Sequence, residues 1–168
     1  MTATPLTPTA RYIPPGVRQY YFVTTIEDKT APTRPELDAG TDLSIEIAAV
    51  DGFTTSSDSV DAPDLGSRFT SKVPGMITAD DSSINIYNST ESDGAGDART
   101  LMPRDTKGFI VQFPEGDDGG DGPNLMNVFP VTVSSASVQS GMEDPGQTQF
   151  MFTITSEPAA NVEVPAAA

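Results

Sequence analysis

Short runs of β-branched, aromatic and alternating residues, separated by loops rich in proline and glycine, constrain this chain most strongly. The 168 residues include 15 prolines and 14 glycines; proline lacks the backbone donor that a hydrogen-bond ladder needs, and glycine favours turns. The pattern predicts about seven or eight strands without the strand–helix alternation of a parallel sheet. We therefore expect a mainly β fold, an antiparallel β-sandwich or barrel with one short helix. The predicted strands are Arg18–Ile26, Asp42–Val50, Phe53–Val60, Ser82–Asn88, Phe109–Phe113, Phe129–Val138 and Gln147–Ser156.

Two consecutive runs carry a specific prediction. Asp42–Val50 alternates between apolar and polar residues, which predicts a strand with Ile45 on its buried face. Asp51 and Gly52 form a strong hairpin signal and predict a turn into Phe53–Val60. That second run is polar and has little to bury in a monomer. It is therefore either an exposed edge strand or a strand that packs against a neighbouring chain.

Other segments give less detailed expectations. Phe109–Phe113 is almost continuously apolar, which predicts a central strand, and the next strand should begin near Pro130. Pro35–Asp38 could form one helical turn. The predicted helix lies within Ser89–Arg104, where Asp97 can cap the free amides of a helix of roughly one to two turns.

The segment Asp61–Tyr87 combines strand-like residues, turn residues and scarce positive charge. In an extended backbone its side chains would alternate between two faces. One face would carry Arg68, Thr70 and Lys72, and the other Phe69 and Val73. Prolines and glycines mark places where a regular ladder cannot continue, at Pro63, Gly66, Pro74 and Gly75. A connection this long inside a compact domain is usually disordered or functional.

The chain has few large apolar side chains for its charge. Leucine, isoleucine, valine and phenylalanine make up 35 residues, and the formal net charge is −15, which approaches the composition of disordered chains. One domain of this length can still bury a core. We expect a β core of residues 17–156, with parts that gain order only against other chains, although loops on an ordinary monomer would give the same composition. Residues 1–16 and 157–168 are expected to be an N-terminal and a C-terminal arm of this single domain.

The residue types that most enzymes use are missing. The sequence contains no cysteine and no histidine, which excludes thiol nucleophiles, Ser–His–Asp triads and the usual cysteine/histidine zinc sites. Adjacent acids such as Asp80 and Asp81 point to opposite faces if they lie on a strand, which disfavours a glycosidase. No catalytic residue, cofactor or resident metal is predicted, and we do not expect an enzyme.

Two binding hypotheses stay open on the residues alone. Gly119–Asn127 comes near the nonapeptide of calcium-binding β-helices, but Asn124 replaces an aspartate of that repeat and one copy is present, so a solvated turn is the alternative. A carbohydrate-binding or adhesin-like β-sandwich could use its tyrosines as a sugar platform, although aromatic residues on strands more often belong to a core or an interface. The tyrosines are Tyr12, Tyr20, Tyr21 and Tyr87.

The acidity of the chain bears on its partners and its location. Affinity for phosphate comes largely from lysine and arginine, and the chain's nine basic residues are scattered, so tight binding to nucleic acid is not expected. The same charge would suit a surface past which DNA slides without sticking. No run of signal-peptide length and no stretch near the roughly 20 apolar residues of a membrane helix is present, so we expect synthesis in a cytoplasm and no membrane segment.

Several segments resemble, in sequence and in order, parts of the major tail tube proteins of long, non-contractile-tailed bacteriophages. One is PDLGSRFTSKVPG, residues 63–75, followed by TADDSSINIY, residues 78–87. The others are PTRPELDAGTDL (Pro32–Leu43), RTLMPRDTKGF (Arg99–Phe109) and FTITSEPAANV (Phe152–Val162). The resemblance covers most of the chain, from about Ala10 to Val162.

The resemblance implies a virion structural protein. Such proteins form hexameric rings whose sheets join into a continuous β-barrel around a channel, and the rings stack into the tail tube through which genomic DNA is delivered. The implied partners are further copies of the chain, a tape-measure protein inside the tube during assembly, and a tail terminator. DNA would pass through the lumen without specific binding. Assembly would take place in the host cytoplasm, and the final location would be the virion tail.

Carried over by region, the resemblance makes Asp61–Gly75 a long loop that reaches the adjacent ring or subunit. Residues 97–103 would be a helix packed outside the barrel, and residues 1–16 and 157–168 would be arms that bridge subunits. The predicted interface residues are Asp64, Leu65, Arg68, Phe69, Lys72 and Tyr12.

Overall fold

The computed structural model describes residues 13–88, 98–117, 119, 124–139, 141 and 145–167. Its strands are β1 (Gln19–Val23), β2 (Thr41–Asp42), β3 (Ile47–Asp51), β4 (Thr55–Ala62), β5 (Ser71–Ala79), β6 (Ser82–Tyr87), β7 (Lys107–Phe113), β8 (Leu125–Gln139), β9 (Gln147–Ile154) and β10 (Ala159–Glu163). Its helices are α1 (Arg34–Asp38) and α2 (Ala98–Leu101). The predicted mainly antiparallel β fold is confirmed, with two short helices in the described residues instead of one.

The strands form one large sheet and a separate ribbon. The eight-stranded sheet has the order β2-β1-β7-β8-β9-β6-β3, with β10 added to β8, and β4 and β5 pair only with each other. Within the described residues no pairing joins β2 to β3, so the sheet does not close. The barrel that was one of the two predicted architectures is therefore wrong for the single chain, and the sandwich-like alternative is closer.

β8 is the long central strand of this sheet. One of its edges pairs with β7, and its other edge pairs first with β10 and then with β9. Pro130 lies within β8 and not at its start as predicted. Its carbonyl accepts a hydrogen bond from Thr155 N–H at 3.0 Å. Because the N–H and C=O of one strand residue point to the same edge, the N–H that proline lacks would have pointed into the gap between β10 and β9. A proline is tolerated there because no ladder bond is lost.

The main core fills the concave side of the sheet. Phe22 of β1, Ile84 of β6 and Phe150 of β9 are each at most 1% exposed, which requires a second layer over that face. The sheet supplies the layer by folding over itself, so that strands from both ends bury one cluster. The cluster comprises Tyr20, Phe22, Leu43, Phe53, Ile84, Ile86, Met102, Ile110, Phe129, Val131, Val133, Phe150 and Phe152.

A second, smaller core covers the opposite face of β1, β7 and β8. Alternate residues of these strands, such as Val23, Val111 and Val128, pack there with Leu37 of α1 and Ala159 of β10. The predicted central position of Phe109–Phe113 is thus confirmed, because β7 lies between β1 and β8 and is covered on both faces. The C-terminal residues contribute β10 to the sheet, and whether residues 157–168 also bridge subunits stays a prediction.

The predicted strand Asp42–Val50 is interrupted. Asp42 Oδ1 accepts hydrogen bonds from the backbone N–H and the hydroxyl of Ser44, and Glu46 N–H bonds to the Leu43 carbonyl at 3.1 Å. This local turn competes with an extended backbone. As a result β2 and β3 are separate, and Ile45 is 90% exposed, which contradicts its predicted burial.

The predicted hairpin at Asp51 and Gly52 is also wrong. Gly52 does adopt a positive φ of 80°, but β3 pairs with β6 instead of β4. A Cβ on Gly52 would lie 2.5 Å from the Asp81 carbonyl oxygen, so the chain leaves the sheet beside the point where it returns. The hairpin β4–β5 therefore projects out of the sheet between β3 and β6.

Local hydrogen bonds and one buried side chain stabilise α1, the first of the two short helices. In α1 the Glu36 carboxylate accepts hydrogen bonds from Thr33 N–H and Glu27 N–H, both at 2.7 Å, and Leu37 anchors the turn in the second core. This confirms the helical turn predicted at Pro35–Asp38. The predicted cap of α2, Asp97, lies outside the described residues.

The close approach of β7 to Phe22 yields a stability prediction. A Cβ on Gly108 would lie 2.7 Å from Phe22 Cζ and 2.9 Å from the Val23 carbonyl oxygen. We expect Gly108→Ala to lower the free energy of unfolding by about 1–3 kcal/mol through overpacking, measured by urea denaturation. Gly66→Ala, in an exposed loop, should change it by less than about 0.5 kcal/mol. Equal effects of the two substitutions would contradict the packing described for β7.

Candidate assembly surface

The hairpin β4–β5 packs against little of the rest of the described chain. All eight residues of β4 are exposed, and in β5 a single residue is even partly covered. The loop of residues 63–70 joins the two strands at the tip. A two-stranded ribbon without a third strand or a core is marginally stable in water, so its order depends on something that covers it.

Large apolar side chains are exposed along the whole hairpin. Leu65 is 110% and Phe69 is 78% exposed, and the set is completed by Val60, Val73, Met76 and Ile77. These side chains lie at the tip and on both faces of the hairpin, and exposed apolar surface of this extent marks a protein interaction site. Because the large sheet has its own two cores, this surface is available for contacts with other chains.

The structure brings five of the six predicted interface residues together. Asp64, Leu65, Arg68 and Phe69 lie in the loop at the tip, and Lys72 lies on β5 beside it. Tyr12 lies outside the described residues. The loop has its own turns, since Asp64 Oδ1 accepts a hydrogen bond from Gly66 N–H at 2.8 Å and Ser67 Oγ accepts one from Phe69 N–H at 3.0 Å. Whether these residues contact another subunit stays a prediction.

The two faces of the hairpin differ from those predicted. The strand begins only at Ser71, so the predicted alternation does not extend to Arg68 and Phe69, which lie in a bend. On the strands, Val60 is opposite Val73 on one face, and Asp61 is opposite Lys72 on the other. The Asp61–Lys72 ion pair of 3.5 Å is exposed and contributes little to stability.

Pro74 and Gly75 interrupt the regular ladder, as predicted, although β5 continues through them. Ser57 pairs with Ile77, whereas Ser59 pairs with Pro74, so β5 contains one extra residue at this point. The irregularity is a β-bulge, which accommodates a proline in a strand. A Cβ on Gly75 would lie 3.0 Å from the Asp58 carbonyl oxygen. The glycine therefore permits close contact across the bulge.

The root of the hairpin contains apolar residues that the sequence interpretation did not single out. Ile77 lines a cavity of about 330 Å³ together with Phe53, Phe129 and Ala159. Phe53 packs edge-on against Phe129, with ring centroids 5.3 Å apart. The signal available in the sequence was the apolar pair Met76 and Ile77 directly after the proline and glycine, in a run otherwise rich in serine and threonine.

The unpaired edges of the large sheet, within the described residues, include those of β3 and of the end of β8. β3 is the last strand of the sheet order. The pairing of β8 with β7 ends at Thr132, and Val133 makes the last backbone bond to that side. Residues 134–139 of β8 are therefore free on that edge. Such edges can pair with strands of another copy.

A buried ion pair connects Asp117, in the loop after β7, to Arg34 of α1. Arg34 Nη1 lies 2.7 Å from Asp117 Oδ1, and the Asp117 side chain is only 3% exposed. Tyr21 donates its hydroxyl to Asp117 Oδ2 at 3.2 Å, and Gly119 N–H donates to Asp117 Oδ1 at 3.1 Å. Residues from α1, β1 and the loop thus share one carboxylate.

This arrangement shifts two pKa values. Burial alone raises the pKa of Asp117, but hydrogen bonds from the Arg34 guanidinium and Gly119 N–H, with the charge of Arg34, outweigh it and hold the pKa below its ordinary value of 3.8. Burial, followed by the negative charge of Asp117, raises the pKa of Tyr21 to about 12. The ionised carboxylate and the neutral phenol are therefore the stable pair.

The positions of the described residues do not support the sugar platform or the metal site that the sequence left open. Tyr20 belongs to the main core and Tyr21 packs against the second core, so these two tyrosines lie on opposite faces of β1 and do not form one platform. Among the described residues no group of acidic side chains has a metal-binding geometry. The calcium hypothesis stays untested, because residues 118 and 120–123 lie outside the described part. No described helix has the length and apolarity needed to cross a bilayer.

Nearly the whole sequence matches a protein family. The model of the phage tail tube protein family matches residues 5–167. The chain belongs to this family. No curated protein sequence matches it. Because the family comprises structural tail tube proteins, this tail tube protein is a structural component of a virion tail and not an enzyme.

Solved structures of low sequence identity share its fold. The sheath/tube terminator of an extracellular contractile injection system, PVC, in the extended state is 12% identical, with a TM-score of 0.58 over 89% of this chain and 96% of that chain. The SPP1 tail tube is 10% identical, with a TM-score of 0.55 over 88% of this chain and 79% of that chain. The tail of an empty GTA particle, refined with C6 symmetry, is 9% identical, with a TM-score of 0.50 over 90% of this chain and 98% of that chain.

The buried ion pair predicts a specific loss of stability in acid. Asp117 has a lowered pKa in the fold, so its contribution is present above its unfolded pKa and is lost as the pH falls through the folded value. We expect Asp117→Asn to lower the free energy of unfolding at neutral pH by about 1–3 kcal/mol. The variant should also lose less stability than the unsubstituted protein between about pH 5 and pH 2, measured by urea denaturation at each pH.

Asp38→Asn is the matched control for this measurement. Asp38 also contacts Arg34, at 2.8 Å, but its side chain is 56% exposed, so its removal should have a small effect. Stability curves of the Asp117→Asn variant that run parallel to those of the unsubstituted protein at all pH values would contradict the assignment.

Proposed function

We propose that this tail tube protein polymerises as stacked hexameric rings into the tube of a long, non-contractile phage tail, through which genomic DNA is delivered. The observation that carries the proposal is the projecting hairpin, whose apolar residues Leu65 and Phe69 are exposed on the single chain. Membership of the tail tube family supports the tube. The C6 symmetry given for the GTA tail and the resemblance of residues 63–75 support the hexamer and the tail type.

Rings arise by pairing the free sheet edges. The outer edge of β3 in one copy would pair with residues 134–139 of β8 in the next copy, extending the sheet from chain to chain. Because these two edges differ, the contact is heterologous, and a heterologous contact closes into a ring when its rotation allows. The continuous sheet of such a ring would be the barrel that the single chain does not form.

Stacking of the rings is the role that we assign to the hairpin. Its tip would contact the adjacent ring through Leu65 and Phe69, with Asp64, Arg68 and Lys72 at the rim of the contact and Tyr12 contributed by the N-terminal arm. Residues 1–16 would act as an arm that bridges subunits, and residues 157–168, predicted as a second arm outside a core of residues 17–156, would do so only beyond β10 (Ala159–Glu163), which belongs to the sheet. An apolar centre with a charged rim is the usual composition of a protein interface.

The remaining partners follow from the tube. A tail terminator would end it, by analogy with the sheath/tube terminator of similar fold, and a tape-measure protein would occupy the lumen during assembly in the host cytoplasm. DNA would later pass without specific binding, because the chain is acidic and its basic residues are few. The protein would end in the tail of the virion.

Electron microscopy of the purified protein tests the proposal directly. We expect negative-stain images to contain rings or tubes, and image averages of the rings to show six-fold symmetry. The physical reason is that assembly covers the hairpin and the free edges of β3 and the end of β8, which have no partner among the described residues of the single chain. A strictly monomeric species at high concentration would contradict the proposal.

The substitution Phe69→Ala tests the role of the hairpin tip. Phe69 is 78% exposed on the single chain, so its removal should impair polymerisation, seen by sedimentation and microscopy, while the circular dichroism and urea unfolding of the monomer stay unchanged. Phe152→Ala is the matched control, because Phe152 is 1% exposed and its loss should destabilise the monomer by about 3–5 kcal/mol. Normal tubes from the Phe69→Ala protein would refute the assigned contact.

A further inference from the structure

One part of the sheet is almost free of charge. Charged residues make up 20% of the chain, yet the strands IAAVD (β3), SSINIY (β6) and QTQFMFTI (β9), with residues 134–139 of β8, contain a single charged residue, Asp51. These strands are neighbours in the sheet. The acidic residues of this strongly acidic chain are therefore concentrated elsewhere.

Only one face of this four-stranded region is covered by the core. Ile84 and Phe150, directly opposite each other on β6 and β9, point into the main core. Their neighbours Asn85 and Gln149 point to the other face, where Gln149 lies opposite Ser137 of β8. No described residue of the second core lies on these strands. That face consists mainly of amide and hydroxyl side chains, such as Gln139, whose Nε2 lies 2.8 Å from Gln149 Oε1. It also carries Met151, opposite Ser83 and Ser135, which is 39% exposed.

The position of the rest of the molecule determines which way this face points in a ring. If copies join edge to edge through β3 and β8, one face of the joined sheet looks toward the axis and the other looks outward. The main core lies against the covered face, β1 and β7 lie beyond that core, and the second core with α1 lies on the far side of these two strands. This bulk can be accommodated on the outside of a ring, where the available space grows with the radius, but not around the axis.

We infer that the bare face of β3, β6, β9 and the end of β8 lines the channel, and that the channel wall is an uncharged polar surface that a polyanion passes without binding. The inference rests on the proposed ring. Amides and hydroxyls hydrogen-bond to water and contribute no counterion release, which is the main source of affinity for phosphate. The absence of lysine and arginine from the described wall, more than any array of acids, then accounts for passage. Asp51 places one carboxylate per copy at the end of β3.

The lack of cysteine in the chain allows a clean test of the orientation. Ser137→Cys places one thiol on the bare face, and Ala39→Cys places one at the exposed end of α1, on the covered side. Each variant is treated, before and after assembly into tubes, with a small maleimide and with a maleimide attached to a polymer too wide for the channel. Before assembly we expect both thiols to react with both reagents.

After assembly the two reagents should distinguish the two positions. Tubes of the Ala39→Cys variant should still react with both, whereas tubes of the Ser137→Cys variant should react with the small maleimide and lose their reaction with the bulky one. Reaction of the Ser137→Cys tubes with the bulky reagent, or loss of reaction with both, would overturn the inference while leaving the tube intact. If the unsubstituted protein forms no rings or tubes, the proposed function fails first, and this inference fails with it.

A charge substitution tests the chemistry of the wall. Tubes of the unsubstituted protein and of Gln149→Met, a neutral variant of similar length, should not co-sediment with a fluorescent single-stranded oligonucleotide at low salt. Gln149→Lys tubes should retain it, and added salt should release it. Equal retention by unsubstituted and Gln149→Lys tubes would contradict a wall that is inert because it lacks positive charge.

Discussion

Pairing of β8 on both of its edges is the constraint on which the rest of the structure depends. β7 lies on one edge, and β10 and β9 share the other, so one strand holds both cores together. The side chains of β8 alternate between them, with Phe129 in the main core and Val128 in the second. Its position makes a long strand with an internal proline tolerable, because Pro130 falls in the gap between two partner strands. The fold would not survive a shift in this register, since every core side chain would change face.

Local pattern predicted the elements but not their partners. The strand pattern of Gln147–Ser156 identified β9, continuous apolar character identified β7, and Pro35 placed the turn of α1. Gly52 is an example of this limit. The sequence implied its positive φ, but β3 pairs with β6, and β4, which follows Gly52, pairs with β5. The chain that returns from the hairpin at Asp81 lies directly beside Gly52. Ile45 is exposed because the Asp42 side chain forms a turn that periodicity does not report. These outcomes depend on contacts between distant residues.

The candidate surface was predictable for a different reason. A chain with so few large apolar residues cannot cover an additional ribbon, so the exposure of Phe69 follows from composition as much as from position. The residues at the hairpin root, such as Ile77, were not predicted because their environment is created by Phe53 and Phe129 from other parts of the chain. The predicted faces failed at the tip because β5 begins only at Ser71, so Arg68 and Phe69 are not part of an alternating strand. The bulge in β5 is a further irregularity that a simple count of alternating residues does not reveal.

That bulge gives the two ends of the hairpin opposite orientations. Side chains before and after it obey opposite parity: Val73 points to the side of Val60, whereas Ile77 points to the side of Ser57, so one ribbon presents apolar groups in two directions. Because β4 has no matching extra residue, deleting one residue of β5 at the bulge would leave Val73 opposite Val60 and Ile77 opposite Ser57 in a regular ladder. The bulge is therefore the position at which β5 could lose one residue without exchanging the two faces of the ribbon.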